Sequence, residues 1–225
     1  MLDRLELLIG TENVEKLRKM TVMIVGVGGV GGYVVEALAR SGVGHFILVD
    51  YDRVDVTNKN RQLIALDSTI GMKKVEAWGN RILDINKDCK VTKLDCFLNE
   101  ENFQILENLS IDYLIDACDT VKTKKLLIQK CIHDNIPFIS SMGTGNKLDP
   151  SQLEIIDIRK TSYDPLAKII RKFVKDEKIQ GKVMVLSSRE VPISTGSNTI
   201  ASNSFVPSSA GLLIASYVVR QVTKK

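Results

Sequence analysis

Hydrophobic and polar positions along the chain alternate between short β-branched runs and longer stretches with an apolar residue every three or four positions. The short runs predict buried strands and the longer stretches predict amphipathic helices. The clearest example is Val22 to Asp50, VMIVGVGGVGGYVVEALARSGVGHFILVD, which reads as strand, glycine-rich turn, helix and strand. This order and length are typical of one parallel βαβ unit.

The same alternation continues beyond this unit. It predicts further strands at 90–95, 112–116, 137–141, 152–158 and 183–188. It predicts helices at 12–19, 72–87, 100–109, 121–134, from Asp164-Pro165 onward, and at 208–222. We therefore expect an α/β fold with a Rossmann-like, doubly wound, mostly parallel sheet that is extended by antiparallel C-terminal strands. We expect one domain over 1–225, with a nucleotide half at about 20–145 and a C-terminal extension at about 146–225.

Composition narrows the class of protein. Of 225 residues, 44% are hydrophobic and 26% are charged, as in ordinary globular proteins, and the net charge of +4 is compatible with an anionic partner. The four cysteines form no C-x-x-C pair and no secretory segment precedes them, so we expect reduced thiols and a cytoplasmic location. The apolar run Ala210 to Val219 is too short to span a bilayer, and we expect a buried terminal helix there.

The glycine-rich turn carries the first functional signal. Gly26, Gly28 and Gly31 have G-x-G-x-x-G spacing, which allows a tight turn, close approach to a phosphate and packing of the helix on the strand. The following helix N-terminus attracts an anion, and Asp50 ends the next strand, where it can bind ribose hydroxyls. The alternative, glycines that serve packing alone, is disfavoured because strand and acid are both in place. The nucleotide and the reaction stay open.

Polar clusters follow several predicted strands, so we expect them on one rim of the sheet. They are Asp50 with Asp52, Asn58 with Arg61 and Gln62, Lys73 with Lys74, and Asp116 with Asp119. A lysine and an arginine near an α-phosphate, with a carboxylate for Mg²⁺, would serve nucleotidyl transfer. Simpler alternatives are that one of the two lysines is merely solvated and that Asp116 is a turn acid.

A nicotinamide dehydrogenase would share the glycine motif but needs a proton donor. His45 starts a strand away from the predicted rim and His133 ends a helix, and these are the two histidines of the chain. No Tyr-x-x-x-Lys pair is present. The dehydrogenase hypothesis is therefore weaker than nucleotidyl transfer.

Taken together, four segments resemble the ubiquitin-activating-enzyme-like adenylyltransferase superfamily. They are GVGGVGG, VDYDRVDVTNKNRQ, GMKKVE and DACDTVKTK, in this order. Within that superfamily, the segments RLELLIG, TNKNRQ, YDPLAKIIRK and SFVPSSAGLLIA are similar to the tRNA threonylcarbamoyladenosine dehydratase family. The resemblance extends over essentially the whole chain.

The resemblance implies a set of ATP-binding residues. They are Gly26, Gly28, Gly29, Gly31, Asp50, Asp52, Asn58, Arg61 and Lys74. Gly28 and Gly29 would face the phosphates, and Asn58 and Arg61 would bracket the triphosphate. Arg61, Lys74 and Asp119 would be catalytic, with Lys74 on the α-phosphate and Asp119 holding Mg²⁺ or organising the reacting carboxylate. Arg4 matches an arginine that reaches the γ-phosphate of a neighbouring subunit, which implies a homodimer.

The implied reaction is ATP-dependent dehydration of N6-threonylcarbamoyladenosine beside the tRNA anticodon, through a carboxyl adenylate. One alternative is adenylylation of the C-terminus of a ubiquitin-like sulfur-carrier protein, and another is a nucleotide-binding scaffold without turnover. Carrier-activating members often have zinc-binding C-x-x-C pairs and a later cysteine, whereas this chain has no such pair and no cysteine after Cys131. A sulfur-relay protein partner stays open.

A basic stripe gives a candidate surface for tRNA. Lys168, Arg171, Lys172 and Lys175 have i, i+3, i+4 and i+7 spacing on one predicted helix. Such a stripe is often only a solvated helix face. Given the resemblance, we expect these side chains to contact phosphates.

Overall fold

The structure is a computed structural model that describes residues 1–223. Its helices are α1 (Asp3–Ile9), α2 (Thr11–Lys19), α3 (Gly31–Arg40), α4 (Lys74–Ile85), α5 (Val121–His133), α6 (Pro165–Asp176) and α7 (Phe205–Val222). Its strands are β1 (Thr21–Val25), β2 (His45–Val49), β3 (Lys90–Leu94), β4 (Tyr113–Asp116), β5 (Phe138–Ser141), β6 (Leu153–Asp157) and β7 (Met184–Ser188). Single 3₁₀ turns lie at Val56–Asn58, Phe103–Leu106, Pro150–Gln152 and Ile158–Lys160.

The strands form one seven-stranded sheet in the order β3-β2-β1-β4-β5-β7-β6. Neighbouring strands are parallel except β6 and β7, which pair antiparallel from Leu153 opposite Ser188 to Asp157 opposite Met184. The predicted doubly wound, mostly parallel sheet is confirmed. The strand order reverses direction between β1 and β4, and a crevice for a ligand opens at such a point, outside the carboxyl ends of the strands.

Two apolar layers hold the helices on the sheet. On one face, Ile24 of β1 belongs to a buried cluster with Leu38 of α3, Trp78 of α4 and Ile214 of α7. On the other face, strand residues form a second cluster with α5, and a third cluster joins α6 to β7. Side chains of β1 alternate between the two faces and are buried on both, as expected for a central parallel strand.

The C-terminal helix α7 is three residues longer at its start than predicted. Ala210, Ile214 and Val218 are buried in the cluster that includes α3, and a Cβ on Gly211 would come within 2.4 Å of the Val30 carbonyl oxygen. Within residues 1–223, α7 is the one helix that has the length and apolar composition to cross a membrane. Because α7 packs closely against α3, its apolar face is explained by packing in the core.

One predicted helix is wrong. The stretch 100–109 contains only the 3₁₀ turn Phe103–Leu106, in which Leu106 is buried. The Asn99 side-chain oxygen accepts from the backbone N–H groups of Glu101 and Asn102, and the Asn102 side chain accepts from Asn99 N–H at 2.9 Å. This reciprocal pair is a capping-box arrangement that can start a helix. Leu106 is the one fully buried residue of the turn that follows, so packing supports a single turn and no longer helix.

Candidate active site

The glycine turn between β1 and α3 requires glycine at two positions, one for its backbone conformation and one for lack of space. Gly26 has φ +84°, and a Cβ there would lie 2.8 Å from the Ala117 carbonyl oxygen. A Cβ on Gly31 would lie 1.8 Å from the Gly26 carbonyl oxygen. Gly28 and Gly29, between them, line an open cleft. Helix α3 begins at Gly31 without a side-chain cap. The N–H groups of Gly32 and Tyr33 donate to the carbonyls of Gly28 and Val30 at 2.9 and 3.1 Å, so this helix end offers an anion chiefly its positive dipole.

Asp50 follows β2 and fixes the glycine turn from the side. Its carboxylate is 9% exposed, and its oxygens accept from Val27 N–H at 2.8 Å and Asp52 N–H at 2.9 Å. Burial raises the pKa of this carboxyl, while Lys74 and the two backbone hydrogen bonds act in the opposite direction. The side chain also lines the cleft, as expected for a group that meets a ribose.

The two adjacent lysines at the start of α4 have different surroundings. Lys74 is 5% exposed and its Nζ lies 2.7 Å from Asp52 Oδ2, inside the cleft. Lys73 pairs with Asp95 instead, and its side chain is 41% exposed. Trp78, one turn further along α4, donates from Nε1 to the Val27 carbonyl at 2.9 Å and so holds this helix against the glycine turn.

The loop after β2 contributes Asn58, Arg61 and Gln62 to the cleft lining. Asn58 ends a capping box with Asp55, whose N–H donates to Asn58 Oδ1 at 3.2 Å. The Arg61 guanidinium donates to the carbonyl of Thr57 and to Asn60 Oδ1, both neutral acceptors. Gln62 Oε1 is buried without a hydrogen-bond partner in the described chain. The sequence grouped Gln62 with this loop but did not predict it as a site residue.

The turn after β4 presents Asp119 to the cleft, whereas Asp116 lies beneath it. Asp119 is exposed and lines the cleft. Asp116 is 1% exposed, and both of its oxygens lie 3.1 Å from Lys124 Nζ, so it is a structural acid. Burial, with Asp116 nearby, raises the pKa of the Cys118 thiol well above its ordinary value, which keeps that thiol un-ionised.

These groups surround a cleft of about 310 Å³ at the carboxyl ends of β1, β2 and β4. One wall was not predicted. It is formed by Tyr51 and Phe97, whose rings meet edge to face with centroids 5.0 Å apart, together with Leu98. An apolar wall suits a purine ring. The β3-β2-β1 order brings the loop after β3 to this rim, which was the available signal.

Other predicted residues lie outside the cleft. Arg4 is on α1. Leu2, just before α1, lies against Gly42, which follows the C-terminal end of α3, so α1 is at the opposite end of α3 from the glycine turn. Lys168, Lys172 and Lys175 are exposed on α6. Arg171 differs from them, because it is half-buried and donates to the Thr161 backbone carbonyl and hydroxyl at 2.6 and 2.7 Å.

Known proteins share both the sequence and the fold. The chain is 45% identical over 238 aligned positions to the tRNA threonylcarbamoyladenosine dehydratase of Bacillus subtilis, which covers 98% of this chain and 94% of the relative. It is 40% identical over 145 positions to the Escherichia coli enzyme of that name, which covers 64% of this chain and 54% of the relative. The crystal structure of the E. coli dehydratase in complex with ATP superposes with TM-score 0.90 at 33% identity, covering 96% and 91% of the two chains.

The sequence model of the ThiF family matches residues 2–224, nearly the whole chain. That span includes the glycine turn, the loop with Arg61, the start of α4 and the turn with Asp119. The chain belongs to the ThiF family.

Proposed function

We propose that this protein catalyses the ATP-dependent dehydration of N6-threonylcarbamoyladenosine in tRNA, next to the anticodon. The observation that carries the proposal is the meeting of Arg61, Lys74 and Asp119 in one cleft with the glycine turn. These residues come from three separate segments, and together they suit a polyphosphate under attack at its α-phosphate. Membership of a family that includes dehydratases of this name supports the choice of substrate.

The reaction has two steps. The threonyl carboxylate attacks the α-phosphorus of ATP, the bond to the bridging oxygen breaks, and pyrophosphate leaves. A nucleophilic atom of the same modification then attacks the activated carbonyl carbon and expels AMP. One water is lost relative to the neutral carboxylic acid, because its oxygen leaves in AMP, one proton leaves when the carboxyl ionises, and the other leaves the attacking atom on ring closure. Since both reacting groups belong to one nucleoside, the ring closure benefits from proximity and needs no covalent enzyme intermediate.

The residues of the cleft have distinct roles in this scheme. Asp50 binds the ribose, and the backbone of Gly28 and Gly29 faces the phosphates. Asn58 and Arg61 bracket the triphosphate, and Lys74, which Asp52 holds in place, meets the charge that develops at the α-phosphate. Such preorganised groups stabilise the transition state without reorganisation.

Magnesium fits the carboxylate that the cleft offers. Within residues 1–223 no group of three or more metal-ligating side chains occurs. Mg²⁺ commonly takes one or two carboxylates with phosphate oxygens and water, and Asp119, exposed at the cleft, would supply such a carboxylate while the ion neutralises phosphate charge.

The decisive experiment is mass spectrometry of nucleosides from threonylcarbamoylated tRNA after incubation with ATP and the protein. We expect a nucleoside lighter by one water. Lys74→Ala and Asp119→Ala should each lower turnover by at least about 10²-fold. Lys73→Ala is the matched control, because Lys73 pairs with Asp95 away from the cleft, and it should stay within about threefold of wild type. Near-normal turnover in both cleft variants would refute the assignment.

Charge in the cleft favours a homodimer. The residues that line it include three carboxylates, Asp50, Asp52 and Asp119, against two cations, Arg61 and Lys74. A triphosphate therefore needs positive charge beyond these two side chains, of which Mg²⁺ at Asp119 would supply part. Arg4, exposed on α1 and outside its own cleft, supplies more of it in this proposal from the neighbouring subunit.

Mixing inactive variants tests that arrangement. If Arg4 acts across a dimer, an exchanged mixture of Arg4→Ala and Lys74→Ala protomers contains heterodimers with one intact and one doubly altered site. Activity should then return to about a quarter of the wild-type value for equal amounts in a symmetric dimer. An Arg4 that acts within its own chain would restore nothing.

The proposed function also implies a cellular location and a tRNA-binding surface. The four cysteines are free thiols, which agrees with a cytoplasmic tRNA-modifying enzyme. Lys168, Lys172 and Lys175 would contact tRNA phosphates, while Arg171 anchors α6 to Thr161. A sulfur-relay partner stays a prediction.

A further inference from the structure

A second cavity of about 540 Å³ adjoins the nucleotide cleft. The two share a wall that includes Arg61, Asp119 and Thr144. The second cavity then extends between the loop after β5, the start of α6 and the segment before α7. Its volume suits a small organic group. A ligand in it would meet a nucleotide in the cleft at the shared wall.

The floor of this cavity contains a buried ion pair. Lys147 is 2% exposed, and its Nζ donates to the Gly143 carbonyl at 2.6 Å and to Asp164 Oδ2 at 3.1 Å. Asp164 is 3% exposed and also caps α6 by accepting from Ala167 N–H at 2.9 Å. An ammonium has three donors, and these two acceptors use two of them. The third N–H of Lys147 is therefore available to an oxygen of a ligand.

The other side of the cavity is covered by the segment 190–203. Asn146 Oδ1 accepts from Ala201 N–H at 2.7 Å, and Asn203 donates to the Lys147 carbonyl at 2.6 Å. Asn60, next to Arg61, donates to the Ser202 carbonyl at 3.1 Å. These bonds tie the cover to both the cavity floor and the nucleotide loop.

The balance of charge indicates what the cavity accepts. Two cations, Arg61 and Lys147, face two carboxylates, Asp119 and Asp164, and Leu166 and Ile200 add apolar surface. A neutral group with hydrogen-bonding oxygens fits this lining better than a second polyanion. Apart from its carboxylate, the threonylcarbamoyl group has this character, since it consists of a urea and a side chain with a hydroxyl and a methyl.

We infer that this second cavity is the subsite for the threonylcarbamoyl group, with its carboxylate at the Arg61–Asp119 wall and its urea oxygen accepting from Lys147. The inference rests on the proposed function. In this arrangement Lys147 is a specificity-determining residue, because it distinguishes tRNA that carries the modification from tRNA that lacks it. Lys147 does not touch the reacting phosphate.

The test fills the cavity without changing the nucleotide cleft. Leu166→Trp places a larger side chain in the second cavity, and Leu166 does not line the cleft. We expect kcat/KM for threonylcarbamoylated tRNA to fall at least about tenfold while the Kd for ATP changes less than about twofold. The matched control is Leu83→Trp on α4, which is 44% exposed, lines neither cavity and should behave as wild type.

A second variant removes the proposed donor. Lys147→Met should abolish the preference of the protein for modified over unmodified tRNA, measured as a ratio of Kd values, and Lys147→Gln, which retains an N–H, should restore part of it. ATP affinity checks the fold of each variant. Wild-type preference and turnover in both Leu166→Trp and Lys147→Met would overturn the subsite. Absence of dehydrated nucleoside from the wild-type protein would instead overturn the proposed function.

Discussion

Lys124 offers a sharp test of how the turn that carries Asp119 is held. Its ammonium is 0% exposed and lies 3.1 Å from each oxygen of Asp116, while it also donates to the Ser141 carbonyl at 2.7 Å. Lys124→Met keeps most of the side-chain volume and leaves the Asp116 carboxylate buried without its cation. Breaking a buried pair in this way costs about 3–5 kcal/mol.

The magnitude can be measured by urea unfolding. Domains have about 5–15 kcal/mol of stability in total, so the variant should lose a large part of it. With a urea dependence near the upper end of about 1–3 kcal/mol per molar, the midpoint should fall by about 1–2 M. Turnover should fall as well, because Asp116 also accepts from Cys118 N–H at 3.2 Å and so shapes the turn that leads to Asp119.

Two further variants make this prediction refutable. Lys122→Met is the matched control, since Lys122 is exposed two positions earlier on α5, and its effect should stay within about 0.5 kcal/mol. The Asp116→Asn change removes the uncompensated charge, so the double variant with Lys124→Met should be more stable than the sum of the two single costs by about 1–3 kcal/mol. Strict additivity, or a loss below about 1 kcal/mol for Lys124→Met, would contradict the reasoning.

Three more predictions follow from the structure. Gly31→Ala should lower ATP affinity at least about tenfold and cost about 1–3 kcal/mol, seen by calorimetric titration and urea unfolding, because its Cβ meets the Gly26 carbonyl; unchanged ATP binding would refute the close packing. Burial raises the pKa of the Cys131 thiol from 9.0 to about 12, so the folded state binds this proton more tightly than the unfolded state does. The resulting stability is fully present below the unfolded pKa. As the pH rises from the unfolded pKa toward the folded pKa, the free energy of unfolding should fall by up to about 1.4 kcal/mol per pH unit. Urea midpoints at about pH 8 and 10 measure this fall, which should shrink in Cys131→Ala. Lys172→Glu with Lys175→Glu should weaken tRNA binding and reduce its salt dependence while ATP affinity is retained; an unchanged salt slope would exclude this face.

Sequence pattern predicted most strands and helices within a few residues, because buried parallel strands and amphipathic helices have strong local periodicity. It failed at 100–109, where Leu106 is the one fully buried residue of the turn and a longer helix would have little to pack against. The apolar spacing there predicted a helix that does not form, because spacing alone does not show how much of an apolar face will be buried.

The candidate site was predictable where it depends on topology. Residues that follow parallel strands lie on one rim of the sheet. This rule predicted that Asp50, Arg61 and Asp119 lie close together, and all three line one cleft in the structure. The choice between Lys73 and Lys74 was different. Both start the same helix, and their contrast arises from Asp95 and Asp52, acids that come from different parts of the chain. The edge-to-face contact of Tyr51 with Phe97 likewise depends on two separate loops.

The part of the site and its surroundings that sequence could not predict consists largely of buried lysines paired with aspartates. Lys74, Lys124 and Lys147 are each at most 5% exposed, and each forms an ion pair with an aspartate. A lysine in a helix or loop is usually solvated, so sequence gives it no core signature. Asp164 was predicted as a helix cap, and it is one, but its second role toward Lys147 requires the fold. Of the three, Lys74 lines the nucleotide cleft, and because Asp52 already pairs with it, the attraction for a polyphosphate depends also on Arg61 and the α3 N-terminus. The proposed homodimer would add Arg4 of the neighbouring subunit, which the mixing experiment tests.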